Sequence, residues 1–178
     1  MRISKGFALA LVAGLAACDV GAGPQMSHVY VRLADAPNPG ISAASAWIST
    51  IYLIGADGHS RYTITTGPST EYHLNELSLE SGVTALLGDP NIPAGDYAQL
   101  RLIVDSAKVT LDGSSFTLKV PSGMETGIKV EFGGPIQIPP PQATIIIDFD
   151  VSSSFIVTGP TPPHQVLFKP VLHGTVTE

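Results

Sequence analysis

From His28 onward the chain alternates apolar and polar residues in short runs. In HVYVRLAD, Val29, Val31 and Leu33 fall on one parity, and Pro37 and Pro39 end the run, so residues 28–35 read as a half-buried strand. AWISTIYLI, residues 46–54, is apolar on both parities, as expected of a strand at a sheet centre or covered on both sides. Asp57 and Gly58 then signal a hairpin, with Arg61 to Thr66 as its returning arm.

The segment DYAQLRLIVDSAKVTL, residues 96–111, carries the most information. Ala98, Leu100, Leu102 and Val104 are even-numbered, whereas Val109 and Leu111 are odd-numbered. Strand side chains repeat every two residues, so the inward face must change parity near Asp105, Ser106 and Ala107, and a one-residue β-bulge does that. Asp112 and Gly113 form the next hairpin turn, with Phe116 to Val120 returning.

Between Glu71 and Gly88 the period weakens. Val83, Leu86 and Leu87 have helical spacing, but Ser81 and Gly82 interrupt it, which predicts one short helix or compact loop. Ile128 to Phe132 reads as a strand, Pro139 to Pro141 as an extended connection, and Phe155 to Val157 as an edge piece. Ala143 to Val151 places Ile145, Ile147, Phe149 and Val151 inward, and Gln165 to Val176 closes the domain with Pro170 at an edge or bulge. The whole is an all-β chain: a single antiparallel β-sandwich of seven to nine strands, Ig-like in outline.

Composition agrees with one globular domain, since 44% of the 178 residues are hydrophobic and only 13% charged. The 18 Gly and 15 Pro sit in turn-like clusters, not in a repeat. Net charge is −6, and beyond residue 17 seven basic side chains face 15 acidic ones, or −8. That balance speaks against nucleic acid and anionic lipid surfaces as partners.

The first 27 residues depart from the strand pattern. Arg2 and Lys5 make a positive start, and Phe7 to Ala17 an apolar stretch, together the layout of a secretory signal. As a helix, eleven residues reach only about 16 Å, roughly half a bilayer core, too short for a permanent span. Leu15, Ala16, Ala17 and Cys18 resemble a bacterial lipobox, which implies cleavage before Cys18 and acylation of its sulfur. Two or more acyl chains anchor stably, whereas one does so only marginally. Residues 1–17 are thus expected as a cleaved signal-peptide helix, 18–27 as lipidated Cys18 with a flexible spacer, and 28–178 as the sandwich. Asp19 resembles an inner-membrane retention signal, a rule that differs between bacterial groups and leaves inner membrane, outer membrane and cell surface all open. Cys18 is the single cysteine, so no disulfide forms within the chain.

Five stretches carry a wider resemblance: VRLADAP, VTALLGDPNIPAGDYAQLRLIVDSAKVTLDG, VPSGMETGIKV, TIIIDFDVSSSFIVTG and FKPVL. Residues 28–176 resemble a bacterial and archaeal family of lipoprotein domains of unknown function, DUF4382. The resemblance implies a transthyretin-like or carboxypeptidase-regulatory-like sandwich, a fold that more often serves binding or spacing than catalysis.

Candidate chemistry is sparse. No nucleophile-elbow or zinc signature occurs, and His28, His59, His73, His164 and His173 fall singly. Asp148 and Asp150, two apart on a strand, share a face with Cα atoms about 6.5 Å apart. Paired carboxylates suit calcium or acid–base hydrolysis, with Asp105 at the bulge or Asp35 at a strand end as further partners. Capping of turns is the simpler use for them. Trp47, Tyr52, Tyr62, Tyr72 and Tyr97 are the rings available to stack on a sugar, although a single Trp in a sandwich more often belongs to the core. The expected function is a non-catalytic, membrane-anchored envelope lipoprotein whose sandwich binds a glycan or protein or serves as structure, without catalytic residues, resident metal or cofactor beyond the lipid on Cys18. The alternatives are a small envelope hydrolase using Asp148 and Asp150, or a calcium-stabilised adhesion module.

Overall fold

The computed structural model describes residues 23–35, 40–77, 82–120, 125–159 and 165–178. The expected signal-peptide helix and Cys18 lie outside them. In chain order the strands are β1 (Met26–Asp35), β2 (Ala43–Gly55), β3 (Arg61–His73), β4 (Ala85–Gly88), β5 (Asn91–Pro93), β6 (Gly95–Leu111), β7 (Ser114–Lys119), β8 (Ile128–Lys129), β9 (Glu131–Phe132), β10 (Ile136–Ile138), β11 (Gln142–Phe149), β12 (Phe155–Thr158), β13 (Gln165–Phe168) and β14 (Leu172–Thr177). A 3₁₀ turn spans Leu74–Glu76, and a short helix, α1, spans Val151–Ser154.

Two sheets pack face to face. Sheet A runs β4-β1-β11-β14-β9, with β5 also on β1; sheet B runs β10-β6-β2-β3, with β7 and β8 also on β6. The hairpin β12-β13 stands apart from both. The all-β sandwich expected from the alternation is present. Its pairing is mixed in two places, because β1 runs parallel to β11 and β14 parallel to β9, while the other pairs are antiparallel. Parallel neighbours need a long crossover, which between β1 and β11 includes every strand of sheet B, and local residue patterns do not reveal such pairings.

The core forms where the inward parities meet. Val29, Val31 and Leu33 of β1, with Ile145, Ile147 and Phe149 of β11, have no exposed surface. They face Ile51 and Leu53 of β2 and Leu100, Leu102 and Val104 of β6, which are equally buried. Burying each such side chain contributes about 1.5–3 kcal/mol. Ser27, fully buried at the start of β1, donates to the Pro139 carbonyl at 2.7 Å.

The bulge expected near Asp105 is present. Trp47 pairs with Ser106 and Ile48 with Val104, so Asp105 is the extra residue, and inward positions pass from Leu100, Leu102 and Val104 to Ala107, Val109 and Leu111. A second bulge explains why residues 46–54 are apolar on both parities. Ile48 and Thr50 pair with successive partners and Ser49 is skipped, which shifts the inward set from Ala44, Ala46 and Ile48 to Ile51 and Leu53. Double coverage is therefore not needed. Asp112 and Gly113, with φ of 47° and 76°, make the tight turn between β6 and β7.

Other expectations are corrected. Leu86 and Leu87, given helical spacing, belong to β4 and pair with β1. The run 128–132 splits at the buried Val130: β8 joins sheet B and β9 joins sheet A. Pro170 does not sit in a bulge but divides the closing segment into β13 and β14, where its missing N–H ends the ladder. Such divisions raise the count above the seven to nine strands expected.

Candidate functional site

Asp148 and Asp150 sit at one end of sheet A and differ in role. Asp148 is the last outward-facing residue of β11 and pairs with His173 of β14. One of its oxygens, Oδ1, is buried without a hydrogen-bond partner. Burial pushes its carboxyl above the ordinary range, the Asp150 charge adds to this, and His173 opposes it. Asp150 lies one residue before α1 and caps it: Oδ1 accepts from the Ser153 N–H at 2.8 Å and the Ser152 hydroxyl at 2.7 Å. Partial burial pushes Asp150 up, but the bonds from Ser152 and Ser153 outweigh it and hold the carboxyl below its usual range.

Asp35 joins Asp150 at the same turn. It is fully buried, and its Oδ1 accepts from the Val151 N–H at 3.3 Å. Val171 N–H donates to the Ser154 hydroxyl oxygen at 2.9 Å, and Phe168 packs on Phe155 with centroids 4.9 Å apart, so the β12-β13 hairpin closes over this end. The two carboxylates therefore organise the turn that ends β11. Asp148 is pushed up and Asp150 held down, as in acid–base pairs, yet Asp150 Oδ1 is already engaged in capping α1.

Asp105 is not brought to them. It stands on sheet B, where its Oδ2 accepts from the Ser69 hydroxyl at 2.5 Å. Among the described residues, no group of three or more His, Cys, Asp or Glu side chains converges as metal ligands would. His28 pairs with Asn91 at 3.2 Å, and His73 with Ser45 at 3.2 Å; His164 lies outside the described residues. So does Cys18.

The aromatic residues divide by face. Tyr97 is buried and meets Tyr62 edge-on at 5.2 Å, while Tyr62 and Tyr72 pack against the core. Trp47 does not belong to the core. It lies between the inward Ala46 and Ile48, half-buried on the outer face of sheet B. Tyr52 shares that face beyond the bulge, its hydroxyl donating to the Thr126 carbonyl at 2.7 Å and its ring covered by the Arg61 guanidinium at 4.9 Å.

Strand pairing places basic residues around both rings. Tyr52 pairs with Arg101, and Arg101 with Lys129; Trp47 pairs with Ser106, and Ser106 with Lys119, with Lys108 two positions further on. These residues are far apart in the chain and none forms a motif, so the grouping was missed at the level of sequence. The parity of β6, with Arg101 and Lys108 opposite to the buried Leu100 and Val109, is the one signal that could have exposed it.

A separate open cleft of about 620 Å³ lies between β14 and β10, with Phe132, Gln137 and Thr175 among its walls. Gly174 forms its floor because the Phe132 ring lies where a Cβ would stand, 2.3 Å from the nearest ring carbon.

A two-sheet all-β sandwich with strand-end carboxylates and a cationic, aromatic outer face defines the class of the molecule. The domain of unknown function DUF4382 matches residues 26–170, and the chain belongs to that family. No curated protein and no solved structure matches it.

Proposed function

We propose that the chain is a non-catalytic lipoprotein of the bacterial cell envelope, in which an acylated Cys18 tethers the sandwich and the sandwich acts by binding. The observation that carries this reading is the run Leu15, Ala16, Ala17, Cys18 at the end of an apolar stretch, with only residues 19–25 between Cys18 and the first strand. Seven residues span at most about 25 Å, so the tether would hold the sandwich close to the membrane surface. Transthyretin-like sandwiches, to which the family is similar, commonly serve binding or spacing. The capping duties of Asp35 and Asp150 support a structural use of the carboxylates, against hydrolysis or calcium binding. Metabolic labelling with palmitate tests the tether. Label should enter the wild-type chain, membrane fractionation should retain it, and Cys18→Ser should lose both; label that persists in Cys18→Ser overturns the reading.

A further inference from the structure

We infer that the outer face of sheet B is a binding surface for an acidic polysaccharide. Seven basic side chains follow Cys18 in the sequence, and five of them, Arg61, Arg101, Lys108, Lys119 and Lys129, stand on strands β3, β6, β7 and β8 with their side chains on this one face. A chain of charge −8 beyond residue 17 has thus gathered most of its cations on a single surface. Net charge alone argues against an anionic partner; the distribution reverses that conclusion for this face.

The cations are available to a ligand. Among the described residues, Lys129 alone of the five has a carboxylate in ion-pair contact, Glu131 at 3.2 Å. Among the described residues, acids on the face include Asp105, which accepts from Ser69; Glu71, which pairs with Trp47 and lies 3.8 Å from His73; and Asp96, at the far end of β6 on the parity opposite to the buried Tyr97. Arg101 is held by Gln99 at 2.8 Å and by the carbonyls of Thr126 and Gly127 at 3.0 and 3.2 Å, neutral partners that orient its charge without cancelling it.

The layout selects a polymer. Arg61, Arg101 and Lys129 surround Tyr52 at one end of the face, while Lys108 and Lys119 flank Trp47 at the other. Arg101 and Lys108 are separated by seven residues of extended strand, roughly 20 Å, beyond the reach of one small anion. Between them lie hydroxyls, including Thr50, Thr66 and Ser69. The half-buried Trp47 ring to cover a sugar face, hydroxyls to bond sugar hydroxyls and cations to meet carboxylates form the complement of an acidic glycan, while Tyr52, buried under Arg61, holds that guanidinium in place. A bilayer would require apolar side chains to insert, yet the large hydrophobics most exposed to solvent, Met26, Val83, Leu86, Ile156, Val157 and Leu167, all belong to other surfaces.

This inference rests on the binding role proposed above, and names its partner class and surface. The test uses the full chain in detergent micelles with polygalacturonate as probe, dextran as the neutral control, and phosphatidylglycerol in the micelles or duplex DNA as competitors. At low salt the chain should bind polygalacturonate and not dextran, and binding should weaken as salt rises. Lys108→Glu with Lys119→Glu should weaken it about tenfold, Arg61→Gln should weaken it independently, and Lys169→Glu, off the face, should change it less than about twofold. Equal binding of dextran, no binding of polygalacturonate, an equal effect of Lys169→Glu, or preferential displacement by phosphatidylglycerol or DNA would overturn the assignment. Failure of palmitate labelling leaves this result unaffected, so the tether and the ligand are tested separately.

Discussion

The hydroxyl of Ser69 on β3 donates to Asp105 on β6 at 2.5 Å, across the full width of the intervening strand β2. Alternate strands of a sheet lie almost 10 Å apart, so this bond requires a local disturbance. Bulges provide it: Asp105 is the extra residue of β6, Ser49 is skipped on β2, and β3 pairs Thr70 and Thr66 with Ile48 and Thr50, leaving out three residues that include Ser69. Small Ser49 leaves room for the bond to pass over it. Asp105→Ala should lower stability by only about 1 kcal/mol, the net value of one such bond. Deletion of Asp105 should remove the bulge together with this bond and still allow folding, since Val104, Ser106 and Ala107 then alternate regularly and Ala107, Val109 and Leu111 stay inward; circular dichroism and thermal melts of both variants check this, and an unfolded deletion variant would show that the bulge itself is required.

Asp150 and Asp148 should respond oppositely to pH. The Asp150 carboxyl is held below its ordinary value of 3.8, so its stabilising contribution is present above that pH and is lost as pH falls through the folded-state value. Asp150→Ala should cost about 1 kcal/mol at pH 7, the usual loss of an N-cap, with the gap from wild type closing in strong acid. The Asp148 carboxyl is raised, so its favourable contribution is full below 3.8 and disappears as pH rises through the folded-state value. Asp148→Asn should therefore raise Tm at pH 7 by roughly 2 °C and leave it unchanged near pH 3.

Gly174 and Phe132 should be energetically coupled. Gly174→Ala forces the Phe132 ring from its place and should cost about 1–3 kcal/mol. In a Phe132→Ala background the same change should cost little. A double-mutant cycle by chemical denaturation measures the difference, and additive effects would show that the ring does not depend on the glycine.

Calcium should leave stability unchanged. Asp105 stands on the other sheet from Asp148 and Asp150, and Asp150 is occupied by Ser152 and Ser153. Melting temperatures in EDTA and in millimolar calcium should agree, whereas a rise of several degrees with calcium would indicate a site that these carboxylates help to build.

Much of the sandwich was legible because strand period and turn chemistry are local. Val29, Val31 and Leu33, the parity change at Asp105 and the Asp112-Gly113 turn follow from neighbouring residues alone. Pairing partners are not local, so the parallel match of β1 with β11 and the division of residues 128–132 between two sheets left no trace in the alternation. Trp47 was harder to place for a related reason. The Ser49 bulge makes its surroundings apolar on both parities, and only the second strand register shows that the ring faces out. The cationic face is the clearest case: Arg61, Arg101, Lys119 and Lys129 share one face only after β3, β6, β7 and β8 have assembled.

The tether is the centre of the account, and the intact mass of the amino-terminal peptide of the membrane-extracted chain tests it most directly. The account predicts a peptide that begins at Cys18 and carries a diacylglycerol on its sulfur, with a further acyl chain on its amino group where the host adds one. A peptide that still begins at Met1, or a chain cut elsewhere with Cys18 as an unmodified thiol, would contradict it.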